Sequence, residues 1–260
     1  MRIAPIDISP QYLSLLGTFI SFFLFIILLP NWIKLRWEND HFYTALGLFD
    51  SAKIQSFKYF VRGLFLSLGL LSLVLTPLLL TPSGKWIGHL NVNILLNSFF
   101  LVIAVGLAEE ILFRGWLLIE MSKLFGPRSG LVVSAAIFSL SHIRVNLGFF
   151  GLIGLLVGLF LLGLVLGIRR HCDNGSLWGC VGIHGGLVGG WFLISSGLVE
   201  ISADTPGVLF GPGGTALNPL GGLLAIVILT LMLLSQRTEL PIALLPFKGA
   251  RKASSRGAHP

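Results

Sequence analysis

Seven apolar runs separated by short polar stretches organise the chain. They lie at roughly Tyr12–Leu29, Tyr59–Leu80, Val92–Met121, Gly130–Ile143, Phe149–Ile168, Leu177–Ser196 and Pro219–Leu234. None alternates apolar and polar positions with the period of two that a half-buried strand requires, and most are long enough to cross a bilayer as helices. The third run contains charges and the fourth is short, but both are expected to be helical. The pattern predicts an all-α fold, a polytopic transmembrane helical bundle of about seven spans. An eighth, interfacial or re-entrant helix within Asn31–Lys58 is an alternative, because Trp32, Trp37 and the mixed charges there suit a membrane interface. Three regions follow: N-terminal transmembrane helices and a cytosolic loop over 1–91, a core over 92–235, and a basic cytosolic tail over 236–260.

Composition narrows the class. Of 260 residues, 54% are hydrophobic and only 11% are Asp, Glu, Lys or Arg. Soluble domains carry about 25% charged residues, so a soluble enzyme and a disordered chain are both excluded. The formal net charge of +7 would suggest nucleic acid in a soluble protein. Here the cations fall between apolar runs and set topology instead. With the N-terminus outside, four inside stretches follow: Asn31–Arg62, Ser122–Ser129, Arg169–Ser176 and Ser235–Pro260. They hold fourteen of the eighteen Lys and Arg residues, including Lys53, Arg62, Arg169 and Arg170. The outside holds only Arg2, Lys85 and Arg144, and Arg114 lies within a run. Met1–Pro10 does not read as a signal peptide. Cys172 and Cys180, eight apart, match neither a redox nor a zinc-finger spacing.

Five ionisable residues fall at membrane depth, where charge is costly and functional by default. Glu109, Glu110 and Arg114 lie in AEEILFRGW, His142 ends the fourth run in FSLSHI, and His184 lies in GIHGGLVGG. Residues four apart share a helix face, so Glu110 is expected to pair with Arg114, while Glu109 points elsewhere and is free to face a cavity. Counted along the helix axes, Glu109, His142 and His184 reach comparable depths, which predicts one common site. Small residues at Gly154xxxGly158 and Gly182xxxGly186xxxGly190 allow close helix approach. A free carboxylate beside two imidazoles suits general-base chemistry.

Other catalytic templates fit less well. There is no HExxH and no GxSxG. Asp173 and Asp204 fall in loops, which excludes a membrane aspartyl dyad. A Ser–His pair involving Ser139 or Ser141 beside His142 leaves the glutamates unexplained.

Glu109-Glu110-x-x-x-Arg114, Phe138-x-x-x-His142 and His184 in its small-residue helix together resemble the motifs of the CPBP family, the CAAX prenyl protease type 2 and bacterial abortive-infection-like membrane proteases. The resemblance covers about Ala108–Gly190. It implies a glutamate-dependent intramembrane endopeptidase acting on membrane-associated or lipidated proteins or peptides. Glu109 would activate water with His142, His184 would stabilise the oxyanion, and Glu110 and Arg114 would brace the site. No obligatory cofactor is expected. Zinc on Glu109, His142 and His184 is the alternative, since family members have also been labelled metalloproteases. One position departs: where the third motif often reads HxxxN, this chain has Val188, which cannot donate a hydrogen bond. The competing function is a non-catalytic scaffold, immunity protein or transporter retaining the polar cluster. Expected partners are membrane lipids and a lipidated substrate, with no nucleic acid. The expected location is the cell membrane, with the site in its cytosolic half and the C-terminus cytosolic.

Overall fold

The computed structural model describes residues 10–49 and 53–236. The first nine residues, with Arg2, and the tail from Arg237, with Lys248, Arg251, Lys252 and Arg256 of the inside count, lie outside the described residues. The chain divides into two compact units, Met1–Ala45 and Leu46–Pro260.

In the first unit, α1 spans Pro10–Trp37 and contains Pro30. It continues past the expected Leu29 because Trp32, Ile33, Leu35 and Trp37 prolong the apolar pattern, and membrane helices tolerate an internal proline. The helix stops at Glu38, whose φ of 52° is left-handed, and Lys34 pairs with Asp40 at 3.3 Å just beyond. In Asn31–Lys58, the expected eighth helix is only the five-residue α2, Phe42–Leu46. One helical turn is too short to enter and leave a membrane.

The second unit contains α3 (Lys53–Leu80), β1 (Gly84–Trp86), α4 (Val92–Phe100), α5 (Gly106–Glu110), α6 (Leu118–Leu140), α7 (Gly148–Cys172), α8 (Trp178–Leu193), β2 (Val199–Ile201), α9 (Gly207–Phe210) and α10 (Leu223–Ser235). Two π-helical stretches, Leu101–Val105 and Ile111–Leu117, join α4, α5 and α6 into one run. Among the described residues, five helices are long and apolar enough to cross a membrane, and one of these is the 49-residue run Val92–Leu140. At 1.5 Å per residue it would measure about 74 Å, more than twice the ~30 Å of bilayer hydrocarbon. It does not run straight. Gly126, at φ 80° and ψ 163°, breaks it, and Pro127, which needs no N–H partner, opens the next helix. The third and fourth runs are thus separate helices, but the expected loop Ser122–Ser129 contracts to a single-residue break. The seventh run yields α10, whose 13 residues reach only about 20 Å.

The helical pattern did not anticipate a small antiparallel ladder. β1 and β2 pair with Gly84 opposite Ile201 and Trp86 opposite Val199, which sets Lys85 against Glu200. Opposite charges across a strand pair are favourable. The ladder ties the connection after α3 to the one after α8. Near the other end of α3, Arg62 pairs with Asp173, which also accepts from Arg169.

Close packing around α8 positions the site. A Cβ on Gly182 would collide with the Phe60 carbonyl of α3, and one on Gly185 with the Val102 carbonyl of the first π stretch. Glycines on two faces of α8 therefore bring it to backbone contact with both neighbours, as small residues do where lipid supplies no hydrophobic drive between helices. His184 lies between these two glycines.

Candidate active site

The site assembles from three helical segments. Glu109 and Glu110 end α5, immediately before the second π stretch. Such bulges add a residue to a turn and often mark functional positions. Arg114 lies within the bulge, yet its Nη1 donates to Glu110 Oε1 at 2.9 Å, so the two remain neighbours in the widened turn. Both side chains are fully buried. Glu110 Oε1 also lies 2.7 Å from His184 Nδ1. A carboxylate only accepts, so Nδ1 of His184 carries the proton in this contact.

The opposite edge of His184 faces the other glutamate. Glu109 Oε2 lies 3.8 Å from His184 Nε2 and 3.4 Å from His142 Nε2. His142 follows the end of α6, where the helix closes in a turn. Its Nδ1 is 2.8 Å from the Phe138 carbonyl, an acceptor, which turns Nε2 toward Glu109. The side chains of Glu109 and His142 are 28% and 29% exposed, whereas that of His184 is 5% exposed. The cluster therefore opens beside Glu109 and His142 and is closed behind His184. Glu109 Oε2 is itself enclosed and has no hydrogen-bond partner.

Phe138 holds the arrangement together. It is completely buried, with the Arg114 guanidinium 4.1 Å from its ring centroid, His142 at 4.8 Å and His184 edge-on at 5.6 Å. Phe113 packs edge-to-face on it at 5.0 Å. One ring thus fixes the spacing of a cation and two imidazoles, combining cation–π and edge-to-face contacts.

All five residues singled out from the sequence come together. The serines beside His142 do not present a nucleophile to Nε2. Ser139 donates to the Leu156 carbonyl at 2.7 Å and is buried. Ser141 donates to the Phe138 carbonyl at 2.7 Å and lies on the Nδ1 side of His142.

The family model of type II CAAX prenyl endopeptidase Rce1-like proteins matches residues 91–189. This segment is similar to the Rce1-like family. It contains Glu109, Glu110, Arg114, His142 and His184, and the protein is a membrane-embedded, multi-pass chain carrying the domain of a CAAX-type intramembrane protease. A second model, a domain of unknown function (DUF8676), matches residues 1–41. No curated protein and no solved structure matches the chain.

Within the matched segment, the position four residues after His184 is Val188, half-buried on α8. Neither Asn146 nor Asn174 replaces it. Asn146 is exposed, and Asn174, also exposed, donates to the Tyr59 hydroxyl at 3.2 Å. A zinc site needs three protein ligands and an open position. Among the described residues no group of three His, Cys, Asp or Glu side chains is placed to hold a metal ion.

Sequence reasoning missed one residue beside the Rce1-like site. Arg170, counted among the topology-setting loop cations, is 1% exposed. Its guanidinium donates to the carbonyls of Gly175, Gly115 and Leu46 at 3.2–3.4 Å. Gly115 follows Arg114, so Arg170 anchors the bulge that carries the Glu110 partner. The only available signal was its position in the last turn of α7, where cations meet free carbonyls.

Proposed function

We propose that this chain hydrolyses peptide bonds in membrane-associated or lipidated proteins or peptides, with Glu109 and His142 activating the attacking water. The observation that carries this reading is the approach of Glu109 Oε2 and His142 Nε2 to 3.4 Å beside the opening. With the Nδ1 proton of His142 held by the Phe138 carbonyl, both atoms are acceptors, and a single water entering the opening donates to both. Attack forms the bond from water oxygen to carbonyl carbon, and the water proton moves onto the Glu109–His142 pair. Collapse breaks the C–N bond and returns that proton to the leaving amine.

His184 meets the oxyanion through Nε2. Because Nδ1 already donates to Glu110, donation from Nε2 requires a proton on both ring nitrogens, and Glu109 and Glu110 together then face the charges of His184 and Arg114. Glu110 and Arg114 do not touch substrate in this reading. They hold His184 in one orientation, and a site closed on that side keeps the contact strong. The positive-inside bias places the end of the bundle with Arg62 and Asp173 in the cytosol and the ladder end outside. Reporter fusions after Asn174 and Asp204 should then report opposite faces, and the same face for both would break this topology.

Purified protein and a library of prenylated, acylated and unmodified peptides test the reaction. Glu109→Gln, Glu109→Ala and His142→Ala should each abolish cleavage. Equal cleavage by the wild type and all three variants refutes the mechanism. Activity should survive strong chelation. A non-catalytic role is favoured by one observation, the apolar Val188 at the donor position, since losing an oxyanion donor costs about 100- to 1000-fold in rate. A wild type that cleaves no peptide in the library supports that second reading.

A further inference from the structure

A cavity in the second unit is separate from the polar cluster. It has a volume of about 340 Å³, within the range of small-ligand sites, and its walls are Phe57, Phe60, Ile103 and Trp178. Among the described residues, its polar lining side chains are Lys53 and Ser56, one turn apart at the start of α3, and no acidic side chain lines it. The Trp178 indole N–H is already used by the Leu48 carbonyl at 2.8 Å, so the wall offers a ligand no donor there. From Lys53 to Phe60 the cavity edge follows α3 for seven residues, about 10 Å.

An apolar slot with one cation and one hydroxyl at a single edge is complementary to a chain that is hydrocarbon along its length and anionic at its end. We propose that this cavity binds an anionic phospholipid, one acyl chain lying between Phe57, Phe60, Ile103 and Trp178 and the phosphate meeting Lys53 and Ser56. Lys53 belongs to the stretch that the charge bias assigns to the cytosol, where anionic lipid attracts membrane-proximal cations. The site also adjoins both helices of the polar cluster. Ile103 lies in the π stretch leading into α5, which carries Glu109, and Phe60 backs onto Gly182, two residues before His184. Binding does not depend on the proposed hydrolysis, so it can be tested apart from activity.

Tryptophan quenching by brominated lipid reads the site directly. The full chain is reconstituted in phosphatidylcholine with increasing brominated phosphatidylglycerol, and in the reverse arrangement with brominated phosphatidylcholine. Subtracting the signal of Trp178→Phe isolates Trp178. The expected result is saturable quenching of Trp178 at several-fold lower mole fraction of phosphatidylglycerol than of phosphatidylcholine. Lys53→Gln should reduce that preference about five-fold while preserving quenching by either lipid at saturation. Equal quenching by the two lipids in the wild type overturns the proposal. So does an undiminished preference in a Lys53→Gln protein whose thermal melting is unchanged. Quenching of Trp178 by a brominated prenyl peptide that phosphatidylglycerol fails to displace would assign the cavity to substrate and also overturn it.

Discussion

Val188→Asn is the most informative single change, because it adds a function instead of removing one. Val188 follows His184 by four residues on α8, so it lies on the same face and about 6 Å further along the axis. His184 is buried against the Phe138 ring, and neither Asn146 nor Asn174 brings an amide donor beside it. An asparagine there is close to valine in volume and brings one N–H donor toward the oxyanion position. A single such donor contributes about 100- to 1000-fold to kcat, or about 2.7–4 kcal/mol of transition-state stabilisation. The cost is small: asparagine and valine rank close together in helix propensity. Val188 is only half-buried, so the amide retains partial access to water in the free enzyme. The assay is single-turnover cleavage of the best lipidated peptide, wild type against Val188→Asn, with Glu109→Gln/Val188→Asn as the control. kcat should rise with little change in KM, and only while Glu109 is present. A folded Val188→Asn protein with unchanged kcat would show that the oxyanion does not form beside His184, and the proposed assignment of His184 would fail with it.

The other predictions concern what holds the cluster in place. Glu110→Gln leaves Arg114 buried without its counter-charge and should cost about 3–5 kcal/mol of stability in detergent unfolding, while Glu110→Gln/Arg114→Met should recover most of it. Gly185→Ala drives a Cβ into the Val102 carbonyl and should cost about 1–3 kcal/mol together with a loss of activity, read from melting temperature and kcat. Gly126→Ala meets no atom within 4 Å, yet at φ 80° and ψ 163° only glycine is unstrained. It should cost about 1–3 kcal/mol in the same melting assay through backbone strain alone.

The apolar runs were legible because membrane crossing imposes a length and an all-round apolarity that few other structures need. The Glu110–Arg114 pair was legible because helix geometry makes residues four apart neighbours, and the widened turn at 111–117 did not undo it. The π stretches, at Leu101–Val105, Ile111–Leu117 and Ile194–Leu198, were not legible. They add a residue to a turn without a sequence signature, and propensity does not distinguish them from α-helix. The β1–β2 ladder escaped for a related reason. Three-residue strands are shorter than the alternation needed to recognise them, and their pairing partner lies more than a hundred residues away. Arg170 read as a loop cation because its three carbonyl partners come from Leu46, Gly115 and Gly175, positions that only the fold brings together.

The two adjacent glutamates show where such reasoning stops and the structure begins. Sequence spacing separates them by direction: one faces Arg114, the other does not. It does not say what the second one meets. In the structure Glu110 Oε1 accepts from both Arg114 and His184, so the internal pair also orients an imidazole from a distant helix. That leaves His184 Nε2 and His142 Nε2 directed at one oxygen of Glu109, which has no hydrogen-bond partner of its own. An enclosed, unpartnered carboxylate oxygen costs stability wherever it occurs. Here it lies where three helical segments converge and the cluster opens to the exterior. Among the buried acceptors without a partner, which include Glu110 Oε2 and Asp173 Oδ2, the Glu109 oxygen is the one that also faces two imidazole nitrogens, so a water reaching it meets a base on either side.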